Sequence, residues 1–243
     1  MSFVGEAKSG IDLLVSAWSW FRGRRDPVRD QAKRLLDAFE AHGIKRQQIV
    51  RVLPKEFRLS PGDFSTADKL KGNLTPSLLD WSAEYLVLNR AWLDGTDEQP
   101  QQRIEAHKNG DDVAKWLQRR LEAAPNVYRK IYVWAESDLV ARVPPTGLLS
   151  QVYVEDKPGL DGNELSRFWM LSTEWPAAHL PCQATMLHVA KLAESMRIQV
   201  IGRVVPEKVL RRLESGRIFA AQAEKHAGRL WHPQDVVPRW PER

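Results

Sequence analysis

The sequence contains very little cysteine and no long apolar segment. Its single cysteine among 243 residues, Cys182, excludes an internal disulfide framework and favours a reducing compartment. No apolar run approaches the about 18 to 20 residues needed to cross a bilayer, so we expect no membrane span. The apolar stretch near the amino end has neither a basic leader nor a small-residue cleavage pattern. Together these absences predict a cytoplasmic protein.

Motifs of the common enzyme classes are also missing, since the chain has no Gly-rich phosphate loop, no GxSxG and no HExxH. His179, Cys182 and His188 lie within ten residues, but positions 182 and 188 of a helix would not share a face. A zinc site would need a further ligand such as His226 or His232, and no paired cysteines support one. We therefore expect no metal, no cofactor and no catalytic centre. An enzyme centred on Cys182, with His179 or His188 as base, is the less favoured alternative.

Positive charge is concentrated in one part of the chain. The formal net charge is +5 and the sequence pI is about 9.4. Between positions 22 and 58 there are eleven Lys or Arg against five Asp or Glu, a net of +6, so this segment accounts for the whole excess. A clustered excess of this kind favours an anionic partner.

The first half has the apolar spacing of three and four that is typical of amphipathic helices. One such set predicts a helix that ends at Gly23 and packs either on its own chain or on a second subunit. Its members are Ile11, Leu14, Val15, Trp18 and Phe21. Asp26 and Thr75 are each followed by proline, the pattern of an N-cap and a first helical position, and predict two further helices.

Two stretches of this half carry a family resemblance. RLLDAFEAHGIKRQQIVRVL looks like a basic helix, a Gly-Ile turn and a second helix opened by glutamine. LTPSLLDWSAEYLVLNRAWLDG looks like a later helix, a polar turn and a Trp-Leu-x-Gly closure. Over about residues 26–95 the order resembles the XRE-like helix-turn-helix domain of the lambda repressor and Cro type. That resemblance implies a transcriptional regulator that binds double-stranded DNA, commonly as a homodimer on half-sites about one helical turn apart.

The resemblance also implies which side chains would contact DNA. Residues at the start of the second helix would hold phosphates, and residues within 55–73 would face the groove. The predicted DNA-binding residues are Lys45, Arg46, Gln47, Gln48, Arg51, Ser65, Thr66, Lys69 and Lys71. The chain departs from the family at Pro54 and in the longer interval 55–73. These departures bear on sequence-specific DNA binding more than on the fold. The alternative function is a docking or assembly module that keeps a degenerate version of this fold.

The second half changes from helical to extended patterns, so the predicted fold class is α+β. Strands are expected at 130–135, 139–143, 149–155, 165–171 and 198–205, forming a mainly antiparallel sheet, with helices at 182–196 and within 206–227. The predicted divisions are a helical domain at 1–100, a linker and helix at 101–127, and an α+β domain at 128–243. The sequence DKPGLDGN is typical of a turn and lacks the ligand spacing of a calcium loop.

The predicted role of the second domain is dimerisation, or binding of a partner protein or a small-molecule effector. Tryptophans and strand arginines there suggest a pocket for a planar or anionic effector, although most tryptophans are expected in the core. The predicted pocket residues are Trp169, Trp175, Arg167 and Arg203.

Overall fold

The computed structural model of the protein describes residues 26–104, 110–141 and 146–236. The amphipathic helix predicted for positions 11–21 lies outside these residues. The described chain has a helical bundle at its amino-terminal side and a five-stranded sheet with helices at its carboxyl-terminal side. Among the described helices, none has the length and apolar character to cross a membrane.

Five helices, separated by short turns, build the bundle. They are α1 (Pro27–Ala41), α2 (Ile49–Val52), α3 (Ala67–Leu70), α4 (Pro76–Leu86) and α5 (Arg90–Asp94). Single 3-10 turns lie at Arg46–Gln48, Lys55–Phe57 and Lys71–Asn73. The bundle core is aliphatic and aromatic, with Leu35, Phe39, Ile49, Phe64, Leu70 and Leu86 fully buried or nearly so.

The predicted helix boundaries of the bundle are confirmed where a cap defines them. The Asp26 carboxylate accepts a hydrogen bond from the backbone N–H of Arg29 at 3.0 Å and caps α1. Thr75 caps α4 in the same way through the N–H of Leu78 at 3.2 Å. Gly43 follows α1 with φ of +82°, a left-handed conformation that glycine adopts without the cost of a Cβ.

The segment after α1 differs from the expected second helix. Its four-residue helix α2 follows a 3-10 turn and ends before Pro54, and α3 is likewise a single helical turn. Proline restricts the residue before it to extended conformations, so α2 stops at Val52 and Leu53 adopts ψ of 136°. The chain from α2 to α4 therefore consists of short turns rather than of two full helices.

Five strands form one sheet in the order β3-β2-β1-β4-β5. The strands are β1 (Tyr128–Ala135), β2 (Leu148–Pro158), β3 (Glu164–Pro176), β4 (Gln199–Val204) and β5 (Leu230–Trp231). Pairing is antiparallel except between β1 and β4, which are parallel, so the predicted mainly antiparallel sheet is confirmed. The strand predicted at 139–143 is wrong, because positions 139–141 form a turn in which Asp138 accepts hydrogen bonds from the N–H groups of Val140 and Ala141.

Helices cover both faces of the sheet, and alternation along each strand decides which side chain faces which layer. On one face Ile131, Val133, Tyr153 and Trp169 pack against α6 (Gly110–Ala123) and α7 (Leu180–Ser195). On the other face Tyr132, Trp134, Val152 and Phe168 pack against α8 (Glu207–Glu214) and α9 (Ala220–Glu224).

The bundle and the sheet share buried side chains. Leu165 of β3 and Phe219, next to α9, belong to the bundle core. The His42 ring lies 6.3 Å from the ring of Phe168 and 6.0 Å from that of Phe219, measured between centroids. This junction places residues of α4 directly against the ends of β2 and β3.

Candidate nucleic-acid surface and junction cavity

The two parts of the predicted DNA-binding surface lie next to each other. A guanidinium nitrogen of Arg46 donates to the backbone carbonyl of Ser65 at 3.3 Å and joins the turn after α1 to the segment before α3. Arg46 also forms a two-point contact with Glu40 of α1, at 2.9 and 3.1 Å. Arg46 therefore holds the predicted surface together, and its charge is compensated within the bundle.

Two other predicted DNA-binding residues are also engaged by carboxylates. Arg51 forms a bidentate ion pair with Asp161, in the turn between β2 and β3, at 2.6 and 2.9 Å. Lys71 lies 2.8 Å from a carboxylate oxygen of Asp26 and 3.4 Å from one of Asp68. These pairs raise the pKa of Arg51 and of Lys71 through hydrogen bonds to the carboxylates. Both pairs are partly open to solvent, so solvent screens them.

The polar residues predicted to face the groove have local structural roles. The Ser65 hydroxyl donates to the carbonyl of Gly62 at 2.7 Å, and the Thr66 hydroxyl caps α3 by accepting from the N–H of Lys69. Gln48 accepts from the N–H of Lys45 at 3.1 Å, and its amide lies 3.4 Å from Asp161. Gln47 is exposed.

Four cations of the bundle are exposed and form no ion pair within 4.0 Å with any described residue. Lys45 and Lys69 belong to the predicted surface, whereas Lys55 and Arg58 lie in the turn between them and were not predicted. Lys55 and Arg58 belong to the charge excess of positions 22–58. The neighbouring sequence does not distinguish these unpaired cations from Arg46 and Arg51, which are paired. Together they leave positive charge that an external anion can reach.

The four residues predicted to line an effector pocket do not line one cavity. Trp169 is buried between two guanidinium groups, and Arg167 lies beside it with 8% of its surface exposed. Trp175 lines a separate cavity together with Arg103 and Glu174. Arg203 donates to the backbone carbonyls of Ala227 and Gly228.

Arg167 instead belongs to a buried cluster around Glu155, which is wholly inaccessible to solvent. Arg120 of α6 forms a two-point contact with the Glu155 carboxylate at 2.5 and 3.0 Å. Arg167 and Arg129 lie 3.6 and 3.9 Å from the same carboxylate, and the Tyr153 hydroxyl donates to it at 3.1 Å. Burial together with the Glu155 charge raises the pKa of Tyr153. A single carboxylate thus faces three guanidinium groups.

A cavity of about 230 Å3 opens beside this cluster, between the bundle and the sheet. Residues of α4 form one wall and residues of β2 and β3 form the other. The lining residues are Trp81, Glu84, Tyr85, Lys157, Leu165 and Arg167. We call this space the junction cavity.

The cysteine and histidine cluster does not form an activated nucleophile. His179 Nδ1 lies 3.2 Å from the Cys182 sulfur, but burial raises the pKa of that thiol and so disfavours the reactive thiolate. His188 is exposed further along α7. Within residues 26–104, 110–141 and 146–236, no group of three or more His, Cys, Asp or Glu side chains has the arrangement of a metal site.

Comparison with known proteins found no relative. No protein-family model, no curated protein and no solved structure matches the chain.

Proposed function

We propose that this chain binds duplex nucleic acid through phosphate contacts made by exposed cations of the bundle, without reading base edges through a recognition helix. The observation that supports it is a set of exposed cations that form no ion pair within 4.0 Å in the described part of the chain, namely Lys45, Lys55, Arg58 and Lys69. Phosphate contacts of this type hold a protein on a duplex but carry no sequence information.

The short helices support the second part of the proposal. A recognition helix presents several side chains along the major groove. Helix α3 has four residues and rises about 6 Å along its axis. Because Ser65 and Thr66 already bond to nearby backbone groups, this segment has few free groups to read base edges. We therefore expect similar affinity for unrelated duplex sequences.

Fluorescence anisotropy with labelled duplexes of unrelated sequence, over a series of salt concentrations, tests the proposal. If four cations each neutralise one phosphate, the slope of log affinity against log salt is about −3.6. A variant carrying Lys45→Gln, Lys55→Gln, Arg58→Asn and Lys69→Gln should lose most of this slope. Asparagine is chosen at position 58 because Arg58 has φ of +50°, which asparagine tolerates.

A matched control removes the same formal charge elsewhere. Exposed cations outside the bundle are replaced in a variant carrying Lys191→Gln, Lys208→Gln, Arg212→Gln and Arg217→Gln. This control should keep the wild-type affinity and salt slope. Absence of binding at low salt, or an equal loss in the control and the bundle variant, would contradict the proposal.

A second candidate function is a docking or assembly module, which is favoured by one specific observation. Asp161 neutralises Arg51 from the sheet side, so part of the basic surface serves to hold the bundle against the sheet. Size-exclusion chromatography with light scattering tests assembly directly. A change of Leu14→Glu, within the apolar sequence pattern of positions 11–21, should convert an assembled species to a monomer if that segment contacts another copy. An unchanged mass would contradict this candidate.

A further inference from the structure

The junction cavity is built from two separate parts of the chain. Trp81, Glu84 and Tyr85 come from α4, whereas Lys157 comes from β2 and Arg167 from β3. The Arg167 guanidinium donates to the backbone carbonyl of Glu84 at 2.8 Å and bridges the two walls. A ligand in this space would contact both the bundle and the sheet.

The strand register brings the cavity and the Glu155 cluster together. Glu155 is paired with Arg167, and Lys157 with Leu165, across the antiparallel β2 and β3. Because side chains two residues apart share a face of the sheet, Lys157 lies on the same face as Glu155. The charged residues of the cavity and those of the buried cluster therefore lie next to each other on one face of the sheet.

Positive charge exceeds negative charge at this place. Among the described residues, the four cations Arg120, Arg129, Lys157 and Arg167 face the two carboxylates of Glu155 and Glu84. Arg129 and Arg167 are more than nine-tenths buried, so bulk water does little to screen their charge. An anion in the cavity would compensate the excess.

One buried donor in the cavity wall has no partner. Arg167 Nε is inaccessible to solvent and makes no hydrogen bond within the described structure. Buried polar groups without partners are uncommon, because leaving such a group unpaired costs about 1 to 3 kcal/mol. Burial and the nearby guanidinium of Arg167 also lower the pKa of Lys157, as expected where cations crowd together. An anion bound beside Lys157 would relieve this crowding of cations.

The other wall of the cavity offers flat apolar surface. Trp81 and Tyr85, one helical turn apart on α4, are stacked with ring centroids 4.8 Å apart. A planar group can pack against aromatic surface of this kind. The volume of about 230 Å3 is below the about 300 to 1,000 Å3 of pockets for drug-sized ligands and therefore fits a small molecule.

We propose that the junction cavity binds a small organic anion in which a carboxylate or phosphate is carried on a flat apolar body. The anionic group contacts Arg167 and Lys157, and the flat body packs against Trp81 and Tyr85. Binding joins α4 to the ends of β2 and β3. This site is separate from the proposed nucleic-acid surface and would be unaffected by the four bundle substitutions described above.

Binding is measured on the full chain by isothermal titration calorimetry, with quenching of tryptophan fluorescence as a second readout. Benzoate and phenyl phosphate carry both required groups and distinguish a carboxylate from a phosphate. Inorganic phosphate supplies the charge alone, and indole supplies the flat body alone. We expect benzoate or phenyl phosphate to bind with a Kd below about 1 mM, at least tenfold tighter than inorganic phosphate and indole.

Two variants locate the site. Arg167→Gln removes the buried guanidinium and should weaken binding at least tenfold. Lys157→Gln changes a half-buried residue at the cavity wall and should weaken binding several-fold without disturbing the fold, which circular dichroism checks. Lys191→Gln, on a helix that does not line the cavity, should bind as the wild type does.

Three results would overturn the proposal. The first is that neither benzoate nor phenyl phosphate binds more tightly than about 1 mM. The second is equal binding by the wild type and by a folded Lys157→Gln variant. The third is that inorganic phosphate binds as tightly as phenyl phosphate, because the aromatic wall would then contribute nothing.

Discussion

Arg51 of α2 and Asp161 of the turn between β2 and β3 form a bidentate ion pair 110 residues apart in the chain, with nitrogen to oxygen distances of 2.6 and 2.9 Å. The pair fixes the bundle to the sheet at its exposed edge. It also engages Arg51, one of the residues that the sequence predicts to bind DNA, so this cation is less available to anions in solution. The same contact therefore bears on both candidate functions.

Release of Arg51 should strengthen nucleic-acid binding. Asp161→Asn removes the carboxylate and keeps a residue type that tolerates the φ of +57° at this position. Arg51 can then contact a phosphate, so we expect higher affinity for any duplex and a salt slope steeper by about 0.9. Anisotropy titrations at several salt concentrations measure both quantities.

The matched control for this change is Glu98→Gln, which removes an exposed carboxylate that forms no ion pair within 4.0 Å with any described residue. Both variants lose one negative charge, so a long-range effect of net charge would appear in both. A steeper slope in Asp161→Asn alone supports the proposed surface. Equal slopes in the two variants and the wild type would favour the docking module.

A half-buried histidine should make a contribution to stability that depends on pH on the acid side. Desolvation beside Phe168 and Phe219, together with the charge of Lys225, lowers the pKa of His42 to about 4. The unfolded chain then takes up the proton near pH 6.5 and the folded chain only near pH 4. The contribution of His42 to the free energy of unfolding is therefore fully present above pH 6.5, and it decreases by an amount on the order of 3 kcal/mol as the pH falls to 4.

Urea unfolding across this range tests the histidine prediction. His42→Gln keeps a donor for the Ala38 carbonyl, which His42 Nδ1 contacts at 2.8 Å, and removes the titrating group. The stability of the variant relative to that of the wild type should therefore increase as the pH falls from 6.5 to 4. His226→Gln, at an exposed position, serves as the control and should keep the wild-type profile. A constant difference in stability between His42→Gln and the wild type across this range would disprove the assignment.

Glu214 should produce a pH dependence of opposite sign. Burial raises the pKa of its carboxyl to about 7, and the nearby charge of Glu174 adds to that effect. The folded chain therefore keeps a proton between pH 4.5 and 7 that the unfolded chain has lost. Its stabilisation is present below pH 4.5 and is lost as pH rises through 7.

Glu214→Gln tests this because glutamine keeps the oxygen that accepts from the N–H of Glu174 at 3.1 Å. We expect the stability of the variant relative to that of the wild type to increase as the pH rises from 4.5 to 7, so that the variant is the more stable of the two at pH 8. Glu164→Gln, at an exposed position, is the control. Since the effects of Glu214 and His42 oppose each other, the wild type should vary little between pH 4.5 and 6.5. A variant less stable than the wild type at pH 8 would refute the assignment.

The sequence predicted helix ends and turns, because these features depend on residues only a few positions apart. Asp26, Thr75 and Gly43 mark helix ends because their side chains or φ angles act within a few positions. The turn DKPGLDGN between β2 and β3 was predicted for the same reason. The parallel pairing of β1 with β4 could not be predicted, since these strands are joined through β2, β3 and α7.

Sequence patterns also could not show which charges are compensated. Arg167 was interpreted as a pocket or surface residue because a strand arginine usually reaches solvent, yet it is buried beside Glu155. Arg51 and Lys45 are indistinguishable in sequence, and only the position of Asp161 separates the paired cation from the free one. Partners more than a hundred residues apart depend on the tertiary fold, which local spacing does not encode.

The Glu155 cluster provides the last prediction, which connects stability with the proposed anion site. Glu155→Gln leaves the buried Arg129 and Arg167 without their carboxylate. Breaking a buried ion pair on one side costs about 3 to 5 kcal/mol, so we expect a loss of that order in urea unfolding. Glu164→Gln should lose little, because Glu164 is exposed at the start of β3.

An anion in the junction cavity should compensate part of this loss. With Glu155 neutralised, Arg167 has greater need of a negative partner, so benzoate or phenyl phosphate should bind Glu155→Gln more tightly than the wild type. A ligand that binds only the folded state raises stability by RT ln(1 + [L]/Kd), so at one ligand concentration the thermal midpoint should rise further in the variant that binds more tightly. If the ligand shifts the thermal midpoint equally in Glu155→Gln, Glu164→Gln and the wild type, the charge of the cluster does not affect ligand binding in the cavity.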